Sequence, residues 1–279
     1  MGTLFRFNHP KGMKLNLMER REFTGSLDEI SLILPEGAYV TFRTYEANKA
    51  FHLQDHINRL AETMRVATIV NQELNSDIRQ ALHICIDSFY TYDIRVRLII
   101  PFDNVLTLFV LLEKITVPEQ KDYEQGVQVL SAQFERAEPE KKQTGFIDSS
   151  KELRSKVEGS IKEVLLVNRE GYILEGLSSN VFFGRENCMF TAGKGILEGV
   201  TRKIVLETCE QLEIKVNYQA MQMNALGSID EAFITSTSRA VLPVVKINNK
   251  VIGNGKPGEM TRQIMKGFEA KIEEGLEKL

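Results

Sequence analysis

Apolar residues recur at three- and four-residue intervals between Leu53 and Met64, which puts Leu53, Ile57, Leu60 and Met64 on one face of a helix. The same spacing predicts a second helix through Leu74, Ile78, Leu82, Ile86 and Phe89. Two extended runs, 92–100 and 104–112, flank Pro101, Phe102 and Asp103 and predict a β-hairpin. The polar stretch VPEQKDYEQG that follows, with its proline and glycine, separates two apolar regions and reads as an interdomain connector. Beyond it come short strands with turn punctuation, at 126–134, 163–168, 180–184 and 189–191, whose density implies a mainly β core. Ile204, Val205, Thr208 and Leu212 predict a helix over 201–212. Gly258 to Leu279 reads as a charged terminal helix with Ile264, Phe268 and Ile272 inward. The expected fold class is α/β, a mixed α+β chain of two domains, 1–117 and 127–279, joined by 118–126. There is no internal repeat and no low-complexity tract.

Composition narrows the function classes. A chain of 279 residues with 43% hydrophobic and 26% charged residues has the balance of a folded protein able to bury a large core. A net charge of −3 supplies no broad positive field, so nucleic acid is not an expected partner. No stretch approaches the roughly 20 apolar residues of a membrane span, and the N-terminus lacks a signal-like apolar run. Cys85, Cys188 and Cys209 are odd in number and far apart. They suggest neither disulfides nor a zinc site, which fits a soluble, cytoplasmic setting.

Five segments have the residue types for chemistry. In ILEGLSSNVFF, Glu175 ends an apolar strand beside Gly176; alone, this also fits a solvated strand end with a glycine bulge. In ILEGVTRKIVLE, Gly199 precedes Val200, Thr201 and Arg202 at the first turn of a helix. Free amides there suit a phosphate, although a glycine loop leading into a capped helix has the same appearance. Thr235 to Arg239 presents four hydroxyls and a guanidinium, suited to an anion or simply ending a strand. Arg59 in FHLQDHINRL lies away from the apolar seam, as a phosphate clamp or an ordinary surface arginine. His52 and His56 stand one turn apart, but no third ligand is evident, so packed histidines are the reading and no metal is expected. Lys141 and Lys142 are neighbours. On an alternating extended segment one of them points away from the other, and a lysine buried in a cleft becomes a nucleophilic amine.

In this order, the segments resemble the fold type IV pyridoxal-phosphate enzymes, the class IV aminotransferases, which include branched-chain and D-amino-acid aminotransferases and aminodeoxychorismate lyase. The likeness runs from about Gly37 to about Val251 and is strongest from Glu163 to Arg202. It implies a smaller α/β sandwich and a larger barrel-like domain with flanking helices, the cofactor pyridoxal 5′-phosphate between them, and a homodimer. By the same resemblance Glu175 faces the pyridine nitrogen, with Ser179 and Asn180 beside the cofactor. Arg59, Val200, Thr201 and Thr237 hold its phosphate, and the turn of Ser238 and Arg239 receives the substrate carboxylate. Tyr39, Thr41 and Arg97 lie on strands that line the substrate pocket in relatives.

The Schiff-base lysine is placed by spacing. Lys142 lies 33 residues before Glu175, within the range the resemblance implies, and has Thr144 two residues on; Lys141, one residue further away, is the alternative, whereas Lys151, Lys156 and Lys162 fall too close. Phe146 stands near where many branched-chain enzymes have a tyrosine. The implied activity is a ping-pong transamination between an amino acid, branched-chain-like, and a 2-oxo acid. The alternatives are aminodeoxychorismate lyase, a D-amino-acid aminotransferase, and a non-catalytic cofactor- or phosphate-binding protein.

Overall fold

The computed structural model describes residues 1–8, 15–64, 68–86 and 92–279, and the side chains of 68–73 lie outside that description, as does Phe89 of the second expected helix. The chain divides into two compact units: Met1–Thr116 with Lys141–Ser149 and Glu274–Leu279, and Val117–Glu140 with Ser150–Glu273. Each carries its own sheet, so the fold is mixed α/β.

The first unit begins with β1 (Gly2–Asn8), β2 (Asn16–Phe23), α1 (Leu27–Leu32), β3 (Gly37–Tyr45) and β4 (Lys49–Phe51). Helices α2 (Leu53–Met64) and α3 (Thr68–Ile86) follow, then β5 (Ile94–Pro101) and β6 (Thr107–Lys114). The alternation of β3 and β5 sends Val40, Phe42, Val96 and Leu98 to one face, where they pack with Leu53, Ile57 and Leu60 of α2 and Ile78 and Leu82 of α3. The helix-period apolar stripe and the strand-period alternation thus meet in one core. Tyr39, Ile99 and Leu111 point to the other face, against Leu27 and Ile30 of α1. Ser26 caps α1 through a capping box with Glu29.

The second unit opens on α4 (Gln120–Gln125), a short helix within the connector, where the Asp122 carboxylate accepts from the Glu119 amide at 3.1 Å. After β7 (Val127–Gln133) the chain enters Lys141–Ser149, which belongs to the first unit and carries α5 (Gly145–Ser149). Then come α6 (Lys151–Arg154), β8 (Ile161–Val167), β9 (Tyr172–Gly176), β10 (Asn180–Arg185), β11 (Cys188–Phe190) and α7 (Val200–Gln211). The remaining elements are β12 (Lys215–Asn217), β13 (Met221–Gln222), β14 (Glu231–Ser236), β15 (Ala240–Ile247), β16 (Lys250–Val251), α8 (Glu259–Gly275) and β17 (Leu276–Lys278).

The second sheet runs β12-β11-β10-β14-β15-β7-β8-β9-β13, with β16 on β15. Val181, Phe183, Ile234, Leu242 and Val129 fill its concave core. On the opposite face Phe182 and Phe233, paired across β10 and β14, stack at 4.8 Å.

Two expectations change. The terminal helix stops at Gly275, and Leu276–Lys278 pairs antiparallel with β4 in the first sheet. A Cβ on Gly275 would lie 2.6 Å from the Phe51 ring, so the glycine permits a close pass that ends the helix. Ile272 is accordingly only half-buried. Around Lys142 there is no strand, only one isolated bridge, Ala38 with Gln143, before the turn into α5. Among the described residues no helix is long and apolar enough to cross a membrane.

Candidate active site

In the first unit, the segment bearing the two lysines is stitched to the start of β3. The Tyr39 amide donates to the Lys142 carbonyl at 2.9 Å and the Thr144 amide to the Gly37 carbonyl at 3.0 Å. The Gly37 amide donates in return to the Thr144 hydroxyl at 3.0 Å, and the Lys142 amide donates to the Thr63 hydroxyl of α2 at 3.4 Å. Gly37 is needed there, because a Cβ would sit 2.2 Å from the Ile100 carbonyl oxygen. The threonine two residues after the lysine therefore fixes the backbone from which Lys142 projects, and the ammonium lies 5.4 Å from the Tyr39 ring centroid.

Arg59 follows His56 by three residues on α2. His56 is buried and packs on Phe42. Its pKa is pushed down to about 3, first by burial and then by the charges of Lys142, Arg59 and His52. The positive charges of Lys142 and Arg59, which add to the effect of burial at His56, would also attract an anion. The unfolded chain protonates this imidazole near its ordinary 6.5 while the folded one refuses the proton until about 3. Its stabilising effect is therefore complete above the ordinary value. Stability falls as pH drops through the window between the two values, by about 1.4 kcal/mol per pH unit. Urea unfolding at about pH 7 and pH 5 checks this: His56→Gln shows a shallower pH dependence than the parent, and equal slopes would remove His56 from the account.

Arg97 is buried with its guanidinium engaged inside the unit. Nε donates to the Thr41 hydroxyl at 3.0 Å, one terminal nitrogen to Ser31 at 2.8 Å, and the other pairs with Asp28 at 2.8 Å. It also lies 4.8 Å from the Tyr39 ring centroid. Tyr39, Thr41 and Arg97 thus form one group. Arg95 instead pairs with Glu113.

In the second unit, Glu175 is buried at the end of β9. One carboxylate oxygen accepts from Arg136 at 2.8 Å and the other from the Leu197 amide at 2.9 Å. The Leu197 carbonyl accepts from the Asn180 side-chain amide at 2.8 Å. The Leu197 peptide is thereby held from both sides, two residues ahead of the α7 N-cap, Gly199. That N-cap has extended backbone and makes no side-chain cap, and a Cβ there would lie 2.5 Å from the Asn180 oxygen. Val200 and Thr201 are buried in the first turn. Register places Asn180 opposite Thr235, whose buried hydroxyl oxygen makes no hydrogen bond. A charged carboxylate, a glycine that leaves room, a helix start without a side-chain cap and an orphan hydroxyl fit a ligand with a cationic ring nitrogen and a phosphate.

The β14–β15 turn holds Thr237, Ser238 and Arg239. The Arg239 amide donates to the Ser236 carbonyl at 3.2 Å. Its guanidinium reaches Ser236, the Lys162 carbonyl, Ser178 and the buried Glu163. Burial would raise the Glu163 carboxyl, but Arg239, Ser179 and the Val164 amide hold it below the usual carboxylate range.

Arg59 and Lys142 thus share a neighbour, His56, in the first unit. Glu175, Asn180 and the α7 start are tied together in the second. Sequence reasoning missed Arg136 and Glu163, and it named Thr235 only as one hydroxyl of a candidate anion turn. Arg136 sits in a polar run, FERAEPE, that reads as a solvated loop.

The profile of amino-transferase class IV matches residues 37–247. The chain belongs to the class IV aminotransferases. It is 30% identical to a D-alanine aminotransferase of Bacillus licheniformis, over 92% of this chain and 94% of that one. It is 31% identical to a probable branched-chain-amino-acid aminotransferase of Thermotoga maritima, over 87% and 91%. A solved putative branched-chain amino acid aminotransferase from Thermotoga maritima superposes with a TM-score of 0.75 at 25% identity, covering 96% of each chain. A T.th. branched-chain amino acid aminotransferase, solved with pyridoxamine 5′-phosphate, has the same fold at a TM-score of 0.76 and 22% identity, over 99% of this chain and 98% of that one. This class IV aminotransferase is a pyridoxal-phosphate enzyme, as the sequence resemblance implied.

Proposed function

We propose that the chain transfers the amino group of an apolar amino acid to a 2-oxo acid in two half-reactions of a ping-pong cycle, as a cytoplasmic homodimer, with Lys142 as its catalytic amine. The observation that carries this reading is Glu175, a buried carboxylate fixed on both oxygens beside the start of α7. Pyridoxal phosphate, when bound, supplies a carbonyl that condenses with amines and a protonated ring that withdraws electrons.

The protein's residues do the rest. Glu175 holds the proton on the ring nitrogen, with Ser179 and Asn180 fixing its surroundings. The amides of Val200 and Thr201, the hydroxyls of Thr201 and Thr237, and Arg59 bind the phosphate. The Lys142 amine would take the proton from the substrate Cα and return it two atoms further along the conjugated system, beyond the nitrogen. Tyr39 and Thr41, stiffened by Arg97, form the pocket wall, and the turn at Ser238 receives the substrate carboxylate. Phe146 at the tyrosine position leaves the cofactor's ring oxygen without a phenolic donor from that residue.

A second reading has its own support. The D-alanine name of the Bacillus licheniformis relative favours D-amino acids as donors. The experiment is an absorbance-monitored half-reaction of purified protein with L- and D-amino acids. Conversion of the cofactor's carbonyl form by L-leucine, L-isoleucine or L-valine is the expected result, and conversion by D-alanine alone transfers the assignment to the second reading. Pyruvate release from aminodeoxychorismate without transamination would make the chain a lyase. No spectral change with any amine would make it a binding protein only.

A further inference from the structure

The β14–β15 turn carries two of the contacts proposed above, Thr237 and Ser238, yet its geometry is not intrinsically favoured. It closes three residues between the Ser236–Ala240 pair, and Ala240 takes φ +50°, a left-handed conformation that costs a residue with a Cβ free energy. Something must hold it, and the next side chain in is Arg239. Its guanidinium donates to Glu163 at 2.7 Å, to the Ser178 hydroxyl at 2.7 Å, to the Lys162 carbonyl at 2.8 Å and to Ser236 at 3.0 Å. The Arg239 carbonyl accepts from the Tyr123 hydroxyl at 3.0 Å. The residue is pinned at both ends.

Glu163 is itself almost inaccessible, at 1% exposure. It accepts from the Ser178 amide at 3.3 Å and from the Ser178 and Ser179 hydroxyls at 2.9 Å each. Those serines form the turn between Glu175–Gly176 and Asn180. A Cβ on Gly176 would lie 2.3 Å from the Ser179 oxygen and 2.8 Å from Glu163, so the turn closes tightly over this carboxylate. One buried ion pair therefore joins the turn that follows the ring-nitrogen carboxylate to the turn that presents Thr237 and Ser238.

We infer that the Glu163–Arg239 pair is a positioning device that sets the Ser178–Ser179 turn and the Thr237–Ser238 turn in register, and that the Arg239 guanidinium is not itself a receptor for the substrate carboxylate. The inference deepens the aminotransferase reading and rests on it for the roles of the two turns. Its physical basis is that the guanidinium is already spent on Glu163, Ser178, Ser236 and the Lys162 carbonyl, and that the buried Glu163 would lose its counter-charge if the arginine swung out to an anion.

The test compares Arg239→Ala, Arg239→Lys, Glu163→Gln and the apolar double variant Glu163→Leu/Arg239→Met, which strands no charge and keeps the experiment readable where a single variant fails to fold. Three quantities are read: pyridoxal-phosphate affinity by absorbance titration, amide hydrogen exchange over 177–180 and 236–240 in protein stripped of cofactor, and KM separately from kcat. Arg239→Ala and Glu163→Gln are expected to loosen both turns together and to lower kcat/KM by about a hundredfold, the cost of misplacing contacts by an ångström. Their effects are not additive in the double variant, and Arg239→Lys recovers part of the loss.

The inference is overturned if Arg239→Ala raises KM for amino and oxo acids while exchange and cofactor affinity stay at parental values and Glu163→Gln is silent. It is equally overturned if the apolar double variant behaves as the parent. A parent protein that does not bind pyridoxal phosphate would sink the aminotransferase reading, yet coupled exchange of the two turns would still be measurable and would decide the pairing by itself.

Discussion

Replacing Lys142 by alanine lowers turnover by about four or more orders of magnitude, the scale seen when the central nucleophile of a catalytic unit is removed. It also abolishes the borohydride-trapped cofactor adduct. Replacing Lys141 does neither. The two lysines are adjacent and both half-buried, so exposure does not choose between them. What supports Lys142 is its backbone: its carbonyl and amide are engaged by Tyr39 and Thr63, and Thr144 locks the segment to Gly37. The side chain of Lys142 leaves this fixed point within reach of Tyr39. Lys142 also acts on the same buried imidazole as Arg59. Peptide mapping of the reduced adduct is the decisive measurement. A label on Lys141, or on Lys142 with full turnover in Lys142→Ala, would sink the assignment.

Much of this was legible in the chain because the relevant patterns are local. The stripe of Leu53, Ile57 and Leu60 needs only the helical period, and α2 spans the twelve residues expected. The hairpin of β5 and β6 was likewise announced by its turn residues, although its second strand starts at Thr107, three residues later than expected. Glu175, Gly199 and Thr201 gained their meaning only from the order of the segments and the family they resemble, since each alone also fits a solvated strand end or a glycine loop before a capped helix.

What escaped is non-local. Of β2, only Phe23 is buried, so this edge strand carries no alternation to read. β17 exists because β4 offers it an edge some 220 residues earlier, which the helical charge pattern of the terminus conceals. The return of Lys141–Ser149 to the first unit is set by pairing with Gly37 and Tyr39, not by any feature of PEKKQTG. Arg136 has a polar sequence context, and its meaning comes entirely from a partner 39 residues away.

That partnership is the basis for the second large effect. Glu175→Gln is expected to lower kcat by about two to three orders of magnitude, comparable to losing a preorganised group aimed at developing charge. The amide has no negative charge with which to keep the ring nitrogen protonated, so electron withdrawal from the substrate Cα weakens. The same substitution breaks a buried ion pair whose partners are 8% and 4% exposed. Unfolding free energy should therefore fall by about 3 kcal/mol, the lower end for breaking such a pair. The two consequences separate in Glu175→Gln/Arg136→Met, where both members of the pair are replaced together: stability returns towards the parent while turnover does not. Urea unfolding together with the pH titration of the bound cofactor's absorbance reads both. If turnover returns along with stability, Glu175 acts through packing alone and is not the ring-nitrogen carboxylate. If Glu175→Gln leaves the cofactor spectrum and its pH dependence unchanged, the carboxylate does not face the ring.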